Sequence, residues 1–383
     1  MKVTDTQITR VTNKSELEEF ITFPWKVYKG SPYWVPPLIS ERNEFLDPEK
    51  NPFFEHAKAN FFVARRNGEV VGTIGAHSNY LYNEIHNDNT GFFGFFEVLE
   101  DPDTAAALLR TAESWAREAG HDQILGPMQF STNDELGLLV DGFDDAPRIL
   151  MTYNPPRYQG YIESSGYEKA MDLWAYRIGV RELKENMPEK VGRVGEKILK
   201  RWKLNIRPLN MKDFDNEVEL LLSVYNQAWE PNWAAVPMTE HEADKLAEEM
   251  KPLVDPDLAL IVERDGQAVA FALALPDLNQ PLLKAYPRPG FPEPLTLLKL
   301  LWHWKVRRNI KWVRAWGVGV LPEFQGQGLE SIIFLKLTEA SYRKGFELSE
   351  ASWILENNDK VNKSIQMLGG EVYKTYRIYQ KAL

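Results

Sequence analysis

Apolar positions along this chain follow two rhythms. Short β-branched and aromatic runs occupy 60–66, 69–77, 91–98, 258–264, 267–275, 312–320 and 347–355. Stretches with helical spacing lie among them, at 105–119, 211–225, 240–250, 295–311 and 331–344. Asn67-Gly68 and Asp265-Gly266 each sit between two β-prone runs, and each predicts a hairpin. Residues 31–52 read as a loop with short helical turns, and the polar stretch 79–89 reads as a loop. In 295–311, Leu297, Leu300, Leu301 and Trp304 fall on one helical face, which fits either packing on a core or lying on a membrane surface. Strands alternating with helices predict an α/β chain with an α+β mixed sheet.

The pattern occurs twice. Lys26-Val27-Tyr28 with Trp34-Val35-Pro36 is matched by Ser223-Val224-Tyr225 with Trp233 and Val236-Pro237. The hairpin around Gly68 is matched by the one around Gly266, and the helix at 105–119 by that at 331–344. Gly166-Tyr167-Glu168 leading to Tyr176-Arg177-Ile178 is matched by Gly369-Gly370-Glu371 leading to Tyr376-Arg377-Ile378. Four collinear pairs predict a duplicated unit. The first copy covers 1–180 and the second 206–383, the latter with an insertion at 277–311. The charged stretch 181–205 links them, and Val191, Val194, Ile198 and Leu199 give it rough helical spacing.

Val318-Gly319-Val320-Leu321-Pro322 ends a predicted strand, Gln325-Gly326-Gln327-Gly328 turns, and Leu329 opens a helix with Ile333 and Leu337 on one face. Glycines at a helix N-terminus let a phosphate approach unpaired N–H groups. These residues resemble the Gln/Arg-x-x-Gly-x-Gly/Ala loop of the GCN5-related N-acetyltransferases, the GNAT superfamily. The resemblance implies two tandem GNAT-like acyltransferase units. It also implies acetyl-CoA or another acyl-CoA as substrate, held by Val318, Val320, Gln325, Gly326, Gln327, Gly328 and Leu329. The last small residue of the pattern is here Glu330, which would repel a pyrophosphate if turned inward and would suit the helix dipole if turned outward. Asn358 stands where the family has an asparagine that contacts coenzyme A. The family's proton-donating tyrosine is replaced by Ile365, so one of the closing-strand tyrosines Tyr373, Tyr376 and Tyr379 could donate the proton, with Tyr376 the candidate acid. Glu356, at the end of the fifth strand, is the candidate base for the acceptor amine. The first copy has Leu99-Glu100-Asp101-Pro102 where the loop would be, an acidic helix start unsuited to a pyrophosphate. The two-unit pattern also resembles a bacterial family of largely uncharacterised substrate.

Composition narrows the chemistry. The chain has 383 residues, a net charge of −10 and no cysteine. Nucleic acid is not an expected partner, and thiol chemistry is excluded. No metal is expected, and the absence of an apolar leader predicts a cytoplasmic protein. The expected activity is acyl transfer from acyl-CoA to an amine of a small molecule or peptide. A non-catalytic coenzyme A binding protein is an alternative. A third reading is a lipid-amine acyltransferase that makes peripheral membrane contact through 295–311, where Lys299, Lys305, Arg307, Arg308 and Lys311 are basic in an acidic chain.

Overall fold

The computed structural model describes residues 6–187, 189–230 and 232–383. It divides into two compact units: Met1–Leu173 with Asn279–Arg308 and Lys374–Leu383, and Trp174–Leu278 with Asn309–Tyr373. The residues read as an insertion of the second copy, 277–311, thus group with the first unit over Asn279–Arg308. Their ties explain this. Asn279 Nδ2 donates to the carbonyls of Pro147 and Arg148 at 3.0 and 2.9 Å. Trp25 Nε1 donates to Pro287 O at 2.8 Å.

Unit 1 holds β1 (Gln7–Arg10), β2 (Ala57–Arg66), β3 (Glu69–Asn79), β4 (Thr90–Val98), β5 (Gln123–Gly126) and β6 (Leu138–Asp141). Strands β1 to β5 are neighbours in chain order. β2 and β3 turn at Asn67 and Gly68, whose φ values of 53° and 83° fit a tight hairpin turn. All pairs are antiparallel except β4–β5, which is parallel. Helix Pro102–Glu118 lays Ala105, Leu108, Leu109, Ala112 and Ala116 on the sheet, all fully buried. The opposite face carries an aromatic cluster that includes Phe20, Phe53 and Phe130. The stretch 79–89, expected as a loop, contains helix Tyr80–His86. Asn79 caps it at Tyr82 N, Tyr82 is buried beneath it, and left-handed Asn87 stops it.

β7 (Glu168–Gly179) begins in unit 1 and ends in unit 2. Unit 2 continues with β8 (Leu204–Pro208), β9 (Ala259–Arg264), β10 (Gln267–Pro276), β11 (Trp312–Val320) and β12 (Leu348–Leu355). Here the parallel pair is β11–β12. Helix Leu329–Arg343 covers one face through Leu329, Ile332, Ile333, Leu337 and Ala340. Helix Phe214–Trp229 covers the other through Val224 and Tyr225 against Phe271. The linker contains helices Val180–Asn186 and Glu189–Trp202. β13 (Glu371–Ala382) begins in unit 2 and ends in unit 1, pairing there with β5 (Tyr379 opposite Gly126) and with β6 (Tyr376 opposite Leu139). Arg377 of that strand makes a bidentate bond to Asp172 at 2.7 and 2.9 Å.

Candidate active site

The glycine loop follows β11 in unit 2. Gly326 and Gly328 have φ of 69° and 88°, and Gly328 is the N-cap of helix Leu329–Arg343. The loop is already occupied by its own side chains. Gln325 Nε2 donates to Val320 O at 2.9 Å, and Gln327 Nε2 to Glu323 O at 3.0 Å. Glu330 turns inward and accepts the Gly326 N–H at 3.0 Å. A carboxylate therefore holds an N–H of the glycine loop.

The resemblance seen in the sequence would place the reacting groups at the gap where the fourth and fifth strands part. β11 and β12 pair only from Trp312 opposite Leu348 to Ala315 opposite Ala351. Across the other edge of β11, partners step from Ala315 to Gly317, leaving Trp316 as a bulge residue. Among the described residues the β11–β12 ladder ends at Ala315, short of Val318 and Val320, and the Val320 carbonyl is taken by Gln325 Nε2. A buried polar cluster closes the narrow end of this gap. Arg314 is 2% exposed and Glu350 is fully buried, with Nε to Oε1 3.7 Å. Ser352 bridges them: its Oγ donates to Glu350 Oε1 at 2.7 Å and accepts from Arg314 Nε at 3.0 Å. Arg314 also donates to Ser352 O at 3.1 Å. The Tyr373 hydroxyl donates to the other Glu350 oxygen, and its ring stacks on Trp312. Tyr373 keeps part of its surface accessible.

The remaining candidates from the sequence fall as follows. Glu356 and Asn358 share the turn after β12. Asn358 caps helix Asp359–Met367, and Asn362 Nδ2 donates to the carbonyls of Leu355 and Glu356 at 3.0 and 3.3 Å. Tyr376 is fully buried and belongs to the end of β13 that lies in unit 1. Arg314, Glu350 and Glu97 were missed. Their signal was a charged residue inside an otherwise apolar strand, which must find a partner when buried.

Unit 1 has a matching bulge. Partners step from Thr73–Glu97 to Gly75–Gly94, so β4 carries an extra residue at Phe95–Phe96, with Phe95 at φ 50°. β4 and β5 pair only over Thr90–Phe92, and beyond that Val98 N donates to the Tyr158 hydroxyl at 2.7 Å. Here Glu97 replaces the loop chemistry. The hydroxyls of Tyr28 and Tyr158 reach its two oxygens, each at 2.8 Å. Burial pushes its carboxyl from the ordinary 4.5 up to about 7, outweighing those bonds and the charge of Arg157. Each tyrosine has a second acceptor at 3.0 Å, Tyr153 O for Tyr28 and Val98 O for Tyr158, so the protonated form is also accommodated. The helix start that follows is closed to a phosphate, because Asp101 accepts the N–H groups of Asp103 and Thr104 and pairs with Arg66.

The raised pKa gives a pH prediction. The folded chain keeps the Glu97 proton between pH 4.5 and about 7, where the unfolded chain has lost it. Stability from this group is thus present below 4.5 and lost as pH rises through 7. At one pKa unit per 1.36 kcal/mol the loss is about 3 kcal/mol. Glu97→Gln should remove this slope: the stability difference between wild type and variant, from denaturant melts, should shift by that amount between pH 4.5 and 8. An unchanged difference would show that Glu97 titrates normally.

A duplicated mixed sheet, a bulged fourth strand and a glycine loop at a helix start define a tandem GNAT-type fold, and comparison with known proteins agrees. No family model matches the chain. A tandem GNAT protein from the clavulanic acid biosynthesis pathway superposes with a TM-score of 0.55, 12% identity, and coverage of 99% of this chain and 98% of that one. A GCN5-related N-acetyltransferase from Anabaena variabilis superposes with a TM-score of 0.51, 9% identity, and coverage of 99% and 73%. At such identities the likeness shows the fold. Two sequence relatives are nearer. Protein YghO of Escherichia coli is 36% identical over 375 residues, 97% of this chain and 94% of that protein. Bacterial ceramide synthase of Caulobacter vibrioides is 34% identical over 393 residues, 99% of this chain and 98% of that protein. The chain belongs to this bacterial family of tandem GNAT-fold proteins, whose fold is that of acyltransferases.

Proposed function

We propose that the chain transfers an acyl group from acyl-CoA to the amine of a long-chain lipid base. Full-length 34% identity to a bacterial ceramide synthase carries this reading, since a ceramide is an N-acylated long-chain base. In this reading unit 2 takes the acyl-CoA. Its pyrophosphate displaces Glu330 from Gly326 and meets Gln325, Gly326, Gln327, Gly328 and Leu329, with Asn358 on the next turn. The thioester lies along β11 beyond its pairing with β12, where backbone N–H groups meet the carbonyl oxygen. Glu356 takes a proton from the amine, the N–C bond forms, the C–S bond breaks, and the thiolate takes a proton. The donor of that proton is Tyr373, because Tyr376 is fully buried. Glu350 and Arg314 position its hydroxyl.

One observation favours a non-catalytic coenzyme A binding protein instead: the inward carboxylate of Glu330. Turnover separates the two. Purified chain is given acetyl-CoA or palmitoyl-CoA with sphinganine in detergent, and free thiol and N-acylated lipid are followed. Stoichiometric thiol and amide are expected. Tyr373→Phe should lower kcat at least tenfold with little change in KM, as expected for one lost proton donor. Acyl-CoA binding without product from this acceptor or from a soluble amine would leave the binding reading.

A further inference from the structure

We infer that Glu293–Arg308 docks unit 1 on an anionic membrane surface. Helix Glu293–Leu301 continues into a π-helical turn, Trp302–Val306. Its burial is inverted. Thr296 faces inward at 1% exposed, while Leu295, Leu297, Leu298, Leu301, Trp302 and Val306 are 48, 38, 63, 47, 55 and 59% exposed. Of the apolar face read from the sequence, Leu300 and Trp304 are half-buried, while Leu297 and Leu301 are turned to solvent. A helix that hides a threonine and shows its leucines has its apolar partner outside the folded chain.

Charge identifies the partner. Lys299, Lys305, Arg307 and Arg308 are exposed around these residues. The segment's one acid, Glu293, is engaged by the Ser40 hydroxyl and by the Ser40 N–H at 3.1 Å. This gives a local cationic rim on a chain of net charge −10. Lys299 and Lys305 fold their ammonium groups over Phe291 and Trp304, 4.5 and 3.6 Å from the ring centroids. Leucine and tryptophan ringed by lysine and arginine is the composition of a helix lying in the lipid interface. A second copy would bring the same cationic rim against itself, whereas anionic headgroups complement it. Among the described residues no helix is long and apolar enough to cross a membrane, so the contact is peripheral.

The membrane contact does not depend on which acceptor is acylated, and the experiment reads the two separately. The full chain is sedimented with phosphatidylcholine vesicles and with vesicles of one part phosphatidylglycerol to two parts phosphatidylcholine. Wild type should pellet with the anionic vesicles, less so at high salt. Leu298→Glu with Trp302→Glu should partition at least tenfold less. Lys305→Glu with Arg307→Glu and Arg308→Glu should lose the anionic preference. All these side chains are exposed, so the variants should fold and keep turnover on detergent-dispersed acceptor. Wild type left in solution, or a Leu298/Trp302 variant that pellets like wild type, would overturn the proposal. So would a wild-type dimer that this variant dissociates, which would assign the face to a second copy.

Discussion

Arg314→Met should destabilise unit 2 by about 3–5 kcal/mol, the cost of leaving one partner of a buried ion pair alone. The physical reason is Glu350. It is fully buried and it faces three donors: the Arg314 guanidinium, the Ser352 hydroxyl and the Tyr373 hydroxyl. Methionine matches much of the arginine's length but leaves the carboxylate with only the two hydroxyls. The pair itself need not be strongly stabilising, because its desolvation offsets much of its attraction. That asymmetry supplies the decisive comparison. Arg314→Met with Glu350→Gln should recover most of the loss, since no buried charge remains. Urea melts of the two single variants and the double variant give the coupling directly. A double variant as unstable as the sum of the singles would mean that Arg314 acts through its contacts to Ser352 O and the Trp353 ring instead. The activity readout should differ from the stability readout. If Glu350 positions the Tyr373 hydroxyl, the double variant should stay folded yet show lowered kcat.

How much of this was legible in the sequence depends on whether the information is local. The hairpins were legible because Asn67-Gly68 and Asp265-Gly266 dictate their own turns. The duplication was legible because each copy repeats the same local signals in order. The glycine loop was legible because two positive-φ positions and a helix start are written in neighbouring residues. Where Glu330 points was not legible, since rotamer choice selects between two acceptable surroundings for one carboxylate. Burial across distant segments was also hidden. Glu97 meets Tyr28 and Tyr158 from far along the chain, and only that enclosure raises its pKa. Helix 295–311 shows the limit of periodicity. Of the four residues the spacing put on one face, only Leu297 and Leu301 are exposed, and Leu295, Leu298 and Trp302 join them; whether apolar side chains meet protein or lipid is not encoded in spacing.

Gly328→Val should weaken acyl-CoA binding more than a hundredfold, and Glu330→Ala should tighten it about tenfold. The first follows from geometry. Gly328 sits at φ 88°, where a β-branched residue is strained by about 1–3 kcal/mol. Its Cβ would also stand 3.0 Å from Ile198 Cδ1. The backbone must shift, and the N–H groups at the helix start lose their aim at a phosphate. The second follows from competition. Glu330 already bonds the Gly326 N–H, so a pyrophosphate must displace a like charge before it can bind. Removing the carboxylate removes that step, at about 1.4 kcal/mol for a tenfold gain. The empty loop should be slightly less ordered in the variant, because the carboxylate is its internal ligand. The two effects also differ in salt dependence. The gain from Glu330→Ala is electrostatic and should shrink at high ionic strength, whereas the loss from Gly328→Val is steric and should persist. Calorimetric titration of wild type and both variants, at low and high salt, tests the pair. If Glu330→Ala weakens binding, the carboxylate is part of the site rather than a stand-in for its ligand. If Gly328→Val binds normally, acyl-CoA is held elsewhere on the chain and the assignment to this loop fails.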